Sequence, residues 1–389
     1  NQPAMQAILD VTRNKTIGEG DFAAQISANR TGVSRLQDLI EKVGCTDYQS
    51  ALDELNNYGL SIARDVLASI PDGDYQFSDV MDDDGLGNKD LLINLNLSVK
   101  DRTVHADFAG TAQQTSGNIN CPLSVVAAAV YYVFRCLMPN YTPACAGSFK
   151  SITIDAPHGS LLNAKRPAAV AAGNVETSTR IVDVVMGALS QAIPDQMPAA
   201  SHGSMNNLAM GSINRGSINR DSLSHGSIKL ESKKSASTNK KNSSQDNLNQ
   251  WDYYETIGGG MGAGRLYPGL SAVQTHMTNT RNTPIEVMEV NYPLRVIRYS
   301  IREGTGGAGR HCGGDGLIRE FEFTDTTTVT LLTERRAHAP WGSHGGGYGQ
   351  SGVNKINDKI MPAKFSATIN KGDRLVIETA GGGGWGKAE

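Results

Sequence analysis

The sequence carries no excess of either charge: 36 lysines and arginines stand against 39 aspartates and glutamates, for a net charge of −3 and a pI of about 6.3. That balance argues against a nucleic-acid or anionic-membrane partner. It also lacks a long apolar run. The most apolar stretch, Leu123–Met138, carries Arg135 and is shorter than the ~20 residues of a membrane span, so it reads as a buried helix. The five cysteines (Cys45, Cys121, Cys136, Cys145, Cys312) are scattered, odd in number and never spaced Cys-x-x-Cys. The pattern reads as the reduced thiols of a cytoplasmic protein rather than a disulfide framework or a zinc site. No signal peptide opens the chain. No Gly-x-Ser-x-Gly elbow, no His-Glu-x-x-His and no P-loop ending in Gly-Lys-Ser/Thr occurs, so ATP has no recognisable seat.

Glycine, by contrast, is abundant: 43 of 389 residues, about 11% against roughly 7% on average. There is no three-residue period, and the excess in the C-terminal half predicts tight turns and bulges between short strands. Its densest use is in Tyr253–Gly264, followed by Thr275-His276-Met277-Thr278-Asn279-Thr280-Arg281-Asn282-Thr283-Pro284. Backbone freedom beside one imidazole, one guanidinium and several amides and hydroxyls points to a binding or catalytic loop rather than packing.

The periodicities predict an α+β protein with an α-richer N-terminal half and a β-rich, glycine-turned C-terminal half. Val33, Leu36, Leu39, Ile40 and Val43 have helical spacing, with Thr31 as N-cap and Gly44 as stop. Asp47–Ile70 repeats the pattern through Leu52, Leu55, Ile62 and Val66, giving an αα-hairpin. Leu91–Val99 switches to period two, Lys100-Asp101-Arg102 turns, and Thr103–Phe108 alternates again, a β-hairpin with one wet face. Ser178–Ile193 forms a helix with Val182, Val185, Leu189 and Ile193 on one stripe, capped by Asn174 or Thr177. Tyr292–Arg302, Leu317–Phe323, Thr327–Thr333 and Arg374–Thr379 are strands.

Three segments follow: a mixed α/β region over 1–211, a low-complexity insertion over 212–250, and a β-rich region over 251–389 that completes the same fold. The insertion repeats Gly-Ser-Ile-Asn-Arg and is then rich in Lys, Ser and Asn. Such a composition buries too little surface to offset its ordering entropy, and its lysines lack the interleaved aromatics of a nucleic-acid binder.

Gly304–Gly309 fits Gly-x-Gly-x-x-Gly, but no helix can begin in the glycine-rich residues after it, so a strand–turn–strand is expected. His105 and Asp107 share a strand face, yet two ligands without a third make a poor metal site. Within the polar loop His276, Asn279 and Arg281 stand out, with Glu255, Gly259 and Gly260 leading into it. His202, beside Asn206 and Asn207, is the second candidate. Either histidine fits a loop-holding role as well as a chemical one. Glu176 and Arg180 open a helix, where an anion is favoured, although capping explains the same residues. Arg281 suits a bidentate carboxylate contact, and Arg335, Arg336 and His338 are its alternatives.

These motifs also carry a resemblance. YETIGGGMGAG followed by THMTNTRNTP, together with AAGNVETSTRIVDVVMGAL, SHGSMNNLAMG, REGTGGAGRHCGGDGLIREFEF, TLLTERRAHAPWG and TAGGGGWG, is similar to the hydantoinase B/5-oxoprolinase family in order from about Gly20 to Gly386. The resemblance implies the substrate-holding B-type part of an enzyme that opens 5-oxoproline or a hydantoin-like lactam at the expense of ATP. It implies a hetero-oligomer in which a hydantoinase A-type partner binds the ATP. It further implies a divalent metal held by a region that precedes the part matching Gly20–Gln25. This chain does not contain that region, so no residue here inherits the metal role, and the chain reads as a split subunit or a truncated piece. A subunit of an ATP-dependent ketone carboxylase and a non-catalytic scaffold are the alternatives.

Overall fold

The computed structural model describes residues 2–12, 15–213 and 251–388; residues 214–250, nearly all of the insertion expected from composition, lie outside them. In chain order the described elements are α1 (Gln2–Val11), α2 (Lys15–Val43), α3 (Cys45–Leu67), β1 (Gly73–Asp83), β2 (Lys89–Lys100), β3 (Thr103–Asp107), α4 (Leu123–Leu137), β4 (Ile152–Asp155) and α5 (Ser178–Ala192). There follow β5 (Asn207–Ser212), β6 (Asp252–Glu255), α6 (Ile285–Asn291), β7 (Leu294–Arg302), β8 (Gly316–Phe323), β9 (Thr327–Leu332), β10 (Val353–Ile356), β11 (Lys359–Met361), β12 (Lys364–Ile369) and β13 (Arg374–Glu378). The fold is α+β. Among the described residues every α-helix but the short α6 precedes β5, and most strands follow it.

The strands form three sheets, ordered β1-β2-β3-β4, β12-β9-β5-β6 and β11-β10-β13-β8-β7. Alternation in β2 buries Ile93, Leu95, Leu97 and Val99, and Asp101 and Arg102 turn the hairpin with positive φ. Against this sheet lies α5, and α4 packs on α5. Helix α5 is buried on all sides from Ser178 to Leu189, not along a single stripe. One core gathers these elements, and a second gathers Leu208, Phe321, Phe323, Val329, Leu331, Leu375 and Ile377 from the other two sheets. Charged side chains join the two.

Several expectations are corrected. Helix α2 runs unbroken through Thr31, which therefore caps nothing, and no residue of α2 is buried. Its apolar stripe lies open: Val33 is 59% and Leu39 45% exposed. Gly44 does stop it, with φ 88°. In α3 the buried face is Gly59, Ala63 and Leu67 rather than the Leu52–Val66 stripe. There the bare Cα of Gly59 admits Cys145 and Ser148, since a Cβ would stand 2.7 Å from each side chain. Thr177 is already helical and makes no capping bond, because a π-turn over Gly173–Thr177 precedes α5. The Thr177 hydroxyl instead donates to the Ile119 carbonyl. Strand β1 is an addition to the expected elements, and it pairs with β2 along its whole length.

The C-terminal glycines also do something other than turn. Extended segments around Gly260, Gly314 and Gly382 lie backbone against backbone. A Cβ on Gly260 would stand 2.0 Å from the Gly314 carbonyl oxygen, and one on Gly382 would stand 2.1 Å from that of Met261. Only glycine permits that approach. Gly304–Gly309 joins the antiparallel pair β7 and β8 with no helix after it.

Candidate functional site

The site is built from a buried ionic network where α5 meets the segment after β9. A charged residue inside an apolar helix is rarely buried without a partner, and α5 carries two, Arg180 and Asp183. Arg180 donates to Asp79 of β1 (3.2 Å), to Glu334 (3.3 Å) and to the Val80 carbonyl. Arg335 lies 2.6 Å from Asp183 and 2.9 Å from Asp79. The Asp82 carboxylate accepts the backbone N–H groups of Arg336, Ala337 and His338. Lys364 of β12 reaches Glu334 from the far side, held charged against burial by Glu334 and Asp83.

Electrostatics follow from this wiring. Burial opposes the charge on Asp79, but Arg180 and Arg335 outweigh it and hold its carboxyl down at about 2. Glu176 has the opposite fate: burial, reinforced by the nearby Glu334 carboxylate, pushes it up to about 8. Burial, aided by His276, drives His202 down to about 3, so its imidazole is neutral.

His202 and His276 meet this network. His276 Nε2 stands 3.4 Å from Asp183 Oδ1 without hydrogen-bond alignment, and its ring lies edge-on to Tyr132 at 6.1 Å. Both ring nitrogens of His202, Nε2 of His276 and Oδ1 of Asp183 are buried without a hydrogen-bond partner. Buried polar atoms are seldom left so. Asn206, His276 and Arg335 all have positive φ, between 46° and 60°, and strain of this kind gathers at functional sites. Two glycines clear the space. A Cβ on Gly259 would stand 2.5 Å from His202 Cγ, and one on Gly203 would stand 2.8 Å from Arg335 Nε.

The sequence candidates divide between three places. His202, Asn206, Asn207, Glu176 and Arg180 lie in or beside the buried network: Glu176 accepts from Met205 N (3.1 Å) and Asn207 Nδ2 (2.7 Å), and Asn206 accepts from Arg336 (2.8 Å). His276 reaches the network from the polar loop. Glu255 belongs to a separate buried group with Arg319 (3.2 Å), Tyr253 (2.8 Å) and Asn282 (3.0 Å). Asn279 and Arg281 are exposed, and Arg281 lines a cleft of about 490 Å³ with Gln274, Asn282, Glu286 and Tyr299. His338 and His105 sit outside, against Asp90 and Thr153.

Asp79, Asp82, Asp183, Glu334 and Lys364 do not stand out in the sequence. The one signal available is Asp183, a carboxylate among the valines of α5.

The glycine run is no phosphate cradle. The N–H groups of Gly259, Gly260, Met261, Ala263 and Gly264 all donate to backbone carbonyls at 2.9–3.1 Å, and that of Gly262 to Ser201. From Gly259 to Gly264 no N–H is left to face an anion. Among the described residues no three His, Cys, Asp or Glu side chains form a metal-holding group, so the residues present do not fit a divalent metal. No described helix is long and apolar enough to cross a membrane.

A family profile described as hydantoinase B/oxoprolinase matches residues 1–388, so the match begins upstream of the Gly20 suggested by motif. The chain is 35% identical over 381 residues to 5-oxoprolinase 1 of Arabidopsis thaliana, covering 94% of this chain and 27% of that protein. It is 31% identical to the B-type subunit of a putative D-/L-hydantoinase from Pseudomonas sp. (strain NS671), covering 99% and 62%. The chain thus spans about a quarter of the plant relative and under two thirds of the bacterial one. In fold it is similar to an ATP-dependent caprolactamase from Pseudomonas jessenii, with TM-score 0.82 and 22% identity over all of this chain and 64% of that one. It is also similar to an acetone carboxylase, with TM-score 0.69 and 14% identity over 90% of this chain and 50% of that one. With a profile match along nearly its whole length, the chain belongs to the hydantoinase B/oxoprolinase family.

Proposed function

We propose that this chain forms the substrate-holding, B-type side of an ATP-dependent cyclic-amide hydrolase and works in a hetero-oligomer with a hydantoinase A-type partner. Relatives named as a 5-oxoprolinase and as a B-type hydantoinase component align along 94–99% of it. The observation that carries the chemistry is the cluster of buried atoms without a hydrogen-bond partner: His276 Nε2, Asp183 Oδ1 and both ring nitrogens of His202. An amide is a poor electrophile. ATP, bound by the partner, supplies the phosphoryl group that turns the lactam oxygen into a leaving group.

This chain's part is then to bind the ring and manage a proton. Water that attacks the activated carbon must lose one to His276; returning it to the ring nitrogen lets the C–N bond break, and a second water hydrolyses the acyl phosphate that remains. Asp183 behind it orients the ring and stabilises the imidazolium, as a carboxylate does in an acid–base pair. Arg335 fixes Asp183 in turn. Neutral His202 is a hydrogen-bonding wall, not a charge.

A ketone carboxylase component is the second reading, and it rests on the likeness of fold to acetone carboxylase. The test mixes the chain with an A-type partner and follows phosphate release with 5-oxoproline, hydantoin and caprolactam, and with acetone plus bicarbonate. Lactam-dependent release is expected. Release with acetone and bicarbonate alone would replace the first reading by the second, and a complex without turnover on any substrate would leave a scaffold.

A further inference from the structure

We propose that Tyr132 is the positioning residue of His276, holding the imidazole so that Nε2 faces Asp183 and Nδ1 is the nitrogen that takes the proton; this rests on the reading of His276 as the base. The backbone beneath the ring is fixed. Thr278 N donates to the Thr275 carbonyl (3.2 Å), His276 sits within that turn at φ 57°, and Met277 packs against the first core. What remains free is rotation of the ring about its own side-chain bonds. That rotation is opposed by Asp183 Oδ1, 3.4 Å from Nε2, and by the Tyr132 ring, 6.1 Å away between centroids and inclined at 76°. The second contact has the edge-to-face geometry in which aromatic rings attract.

Asp183 alone does not fix the ring, because Nε2 and Oδ1 are both buried without an aligned hydrogen bond. A proton on Nε2 serves both atoms, since buried polar atoms are seldom left unpaired. Burial opposes the charge on Asp183, but His276 and Arg335 outweigh it and hold its carboxyl below the ordinary range. The carboxylate is therefore the acceptor and Nε2 the donor, which leaves the lone pair of the neutral imidazole on Nδ1. The tyrosine is itself anchored. It stands on α4 one turn before Cys136, on the same face, and its hydroxyl donates to that thiol; burial, with Cys136, pushes the hydroxyl above its usual range and keeps it protonated. Without the tyrosine ring the imidazole is free to turn over. A half-turn about Cβ–Cγ puts a ring C–H in the place of each nitrogen, away from Asp183 and away from the water alike.

The first measurement needs no partner and no substrate. The full chain, isotope-labelled at the histidine nitrogens, reports the tautomer of His276 by NMR at a pH where the ring is neutral, with His276→Asn assigning the signal. The expected spectrum has the proton on Nε2 in wild type and in Tyr132→Phe, which keeps the ring, and mixed tautomers in Tyr132→Met, which keeps only the bulk. In the chain assembled with its A-type partner, Tyr132→Met is expected to lower kcat for 5-oxoproline about 10-fold with KM within about twofold, and Tyr132→Phe to stay within about threefold of wild type. A proton on Nδ1 in the wild-type chain would overturn the assignment without any variant, and so would a wild-type kcat in Tyr132→Met. If His276→Asn opens the ring at the wild-type rate, the reading of His276 as the base fails. Loss in that variant beside full activity in Tyr132→Met sinks the positioning role alone.

Discussion

Arg335 and Asp183 lie 2.6 Å apart, and through this pair the segment after β9 is fastened to α5. The same guanidinium holds Asp79 of β1 at 2.9 Å, so a single side chain ties together three elements that are far apart in sequence. Both partners are buried, and removing one leaves the other charged in a low-dielectric site. Asp183→Asn should therefore lower the unfolding free energy by about 3 kcal/mol, read from the urea midpoint at constant m-value. A loss below about 0.5 kcal/mol would show that the pair does not fasten the fold.

The pH dependence follows from His202 and Asp79. The folded-state value of His202 is depressed to about 3 from an ordinary 6.5. Its neutral form is thus favoured in the folded chain, and its contribution is complete above pH 6.5 and lost as the pH falls toward 3. Asp79, depressed to about 2 from 3.8, loses its contribution only between about pH 4 and 2. Between pH 6 and 4.5 the rising slope from His202, approaching ~1.4 kcal/mol per pH unit, is opposed by Glu176, raised to about 8 from 4.5, whose contribution is lost as the pH rises through that range. His202→Gln should lower the net slope across that interval and leave stability falling with rising pH. An unchanged slope in the variant would contradict the burial of a neutral imidazole.

Two glycines at the site and one far from it should respond oppositely to alanine. At Gly203 (φ +55°) a methyl would stand 2.8 Å from Arg335 Nε, and at Gly259 one would stand 2.5 Å from the His202 ring. Both changes should destabilise the chain by about 1–3 kcal/mol through overpacking or strain. Gly20 lies inside α2 with nothing within 4 Å of its absent Cβ. Gly20→Ala should stabilise the helix by about 0.5–1 kcal/mol. Thermal melts of the three variants side by side give the comparison, and a stabilising Gly203→Ala would refute the crowding.

Periodicity makes the β2–β3 hairpin, α4 and the later strands legible, because each has one regular face to bury; α5 is legible by its apolar spacing although all its sides are buried. It misplaces the start of α2, since Thr31 is a good cap by type while the residues before it are equally helical. Composition alone marks the polar loop, but composition does not show that His276 points inward to Asp183 while Arg281, five residues on, points into an open cleft. Asp79 and Asp82 escape notice because acidic residues in an Asp-rich strand ordinarily face water, and their charged and backbone partners across the site lie 101 to 256 residues away. The glycine excess suggests turns; the actual cause is the approach of extended segments distant in sequence, which no local pattern records.

Whether ring opening takes place at the His276–Asp183 pair of this chain is tested most directly by the rate of 5-oxoproline opening in the assembled enzyme carrying His276→Asn. A general base is worth about 10²- to 10⁴-fold. The expected result is a fall of at least ~100-fold in kcat, with the variant still folded and still bound to its partner. A variant that assembles and opens the ring at the wild-type rate would contradict the assignment of His276 as the base.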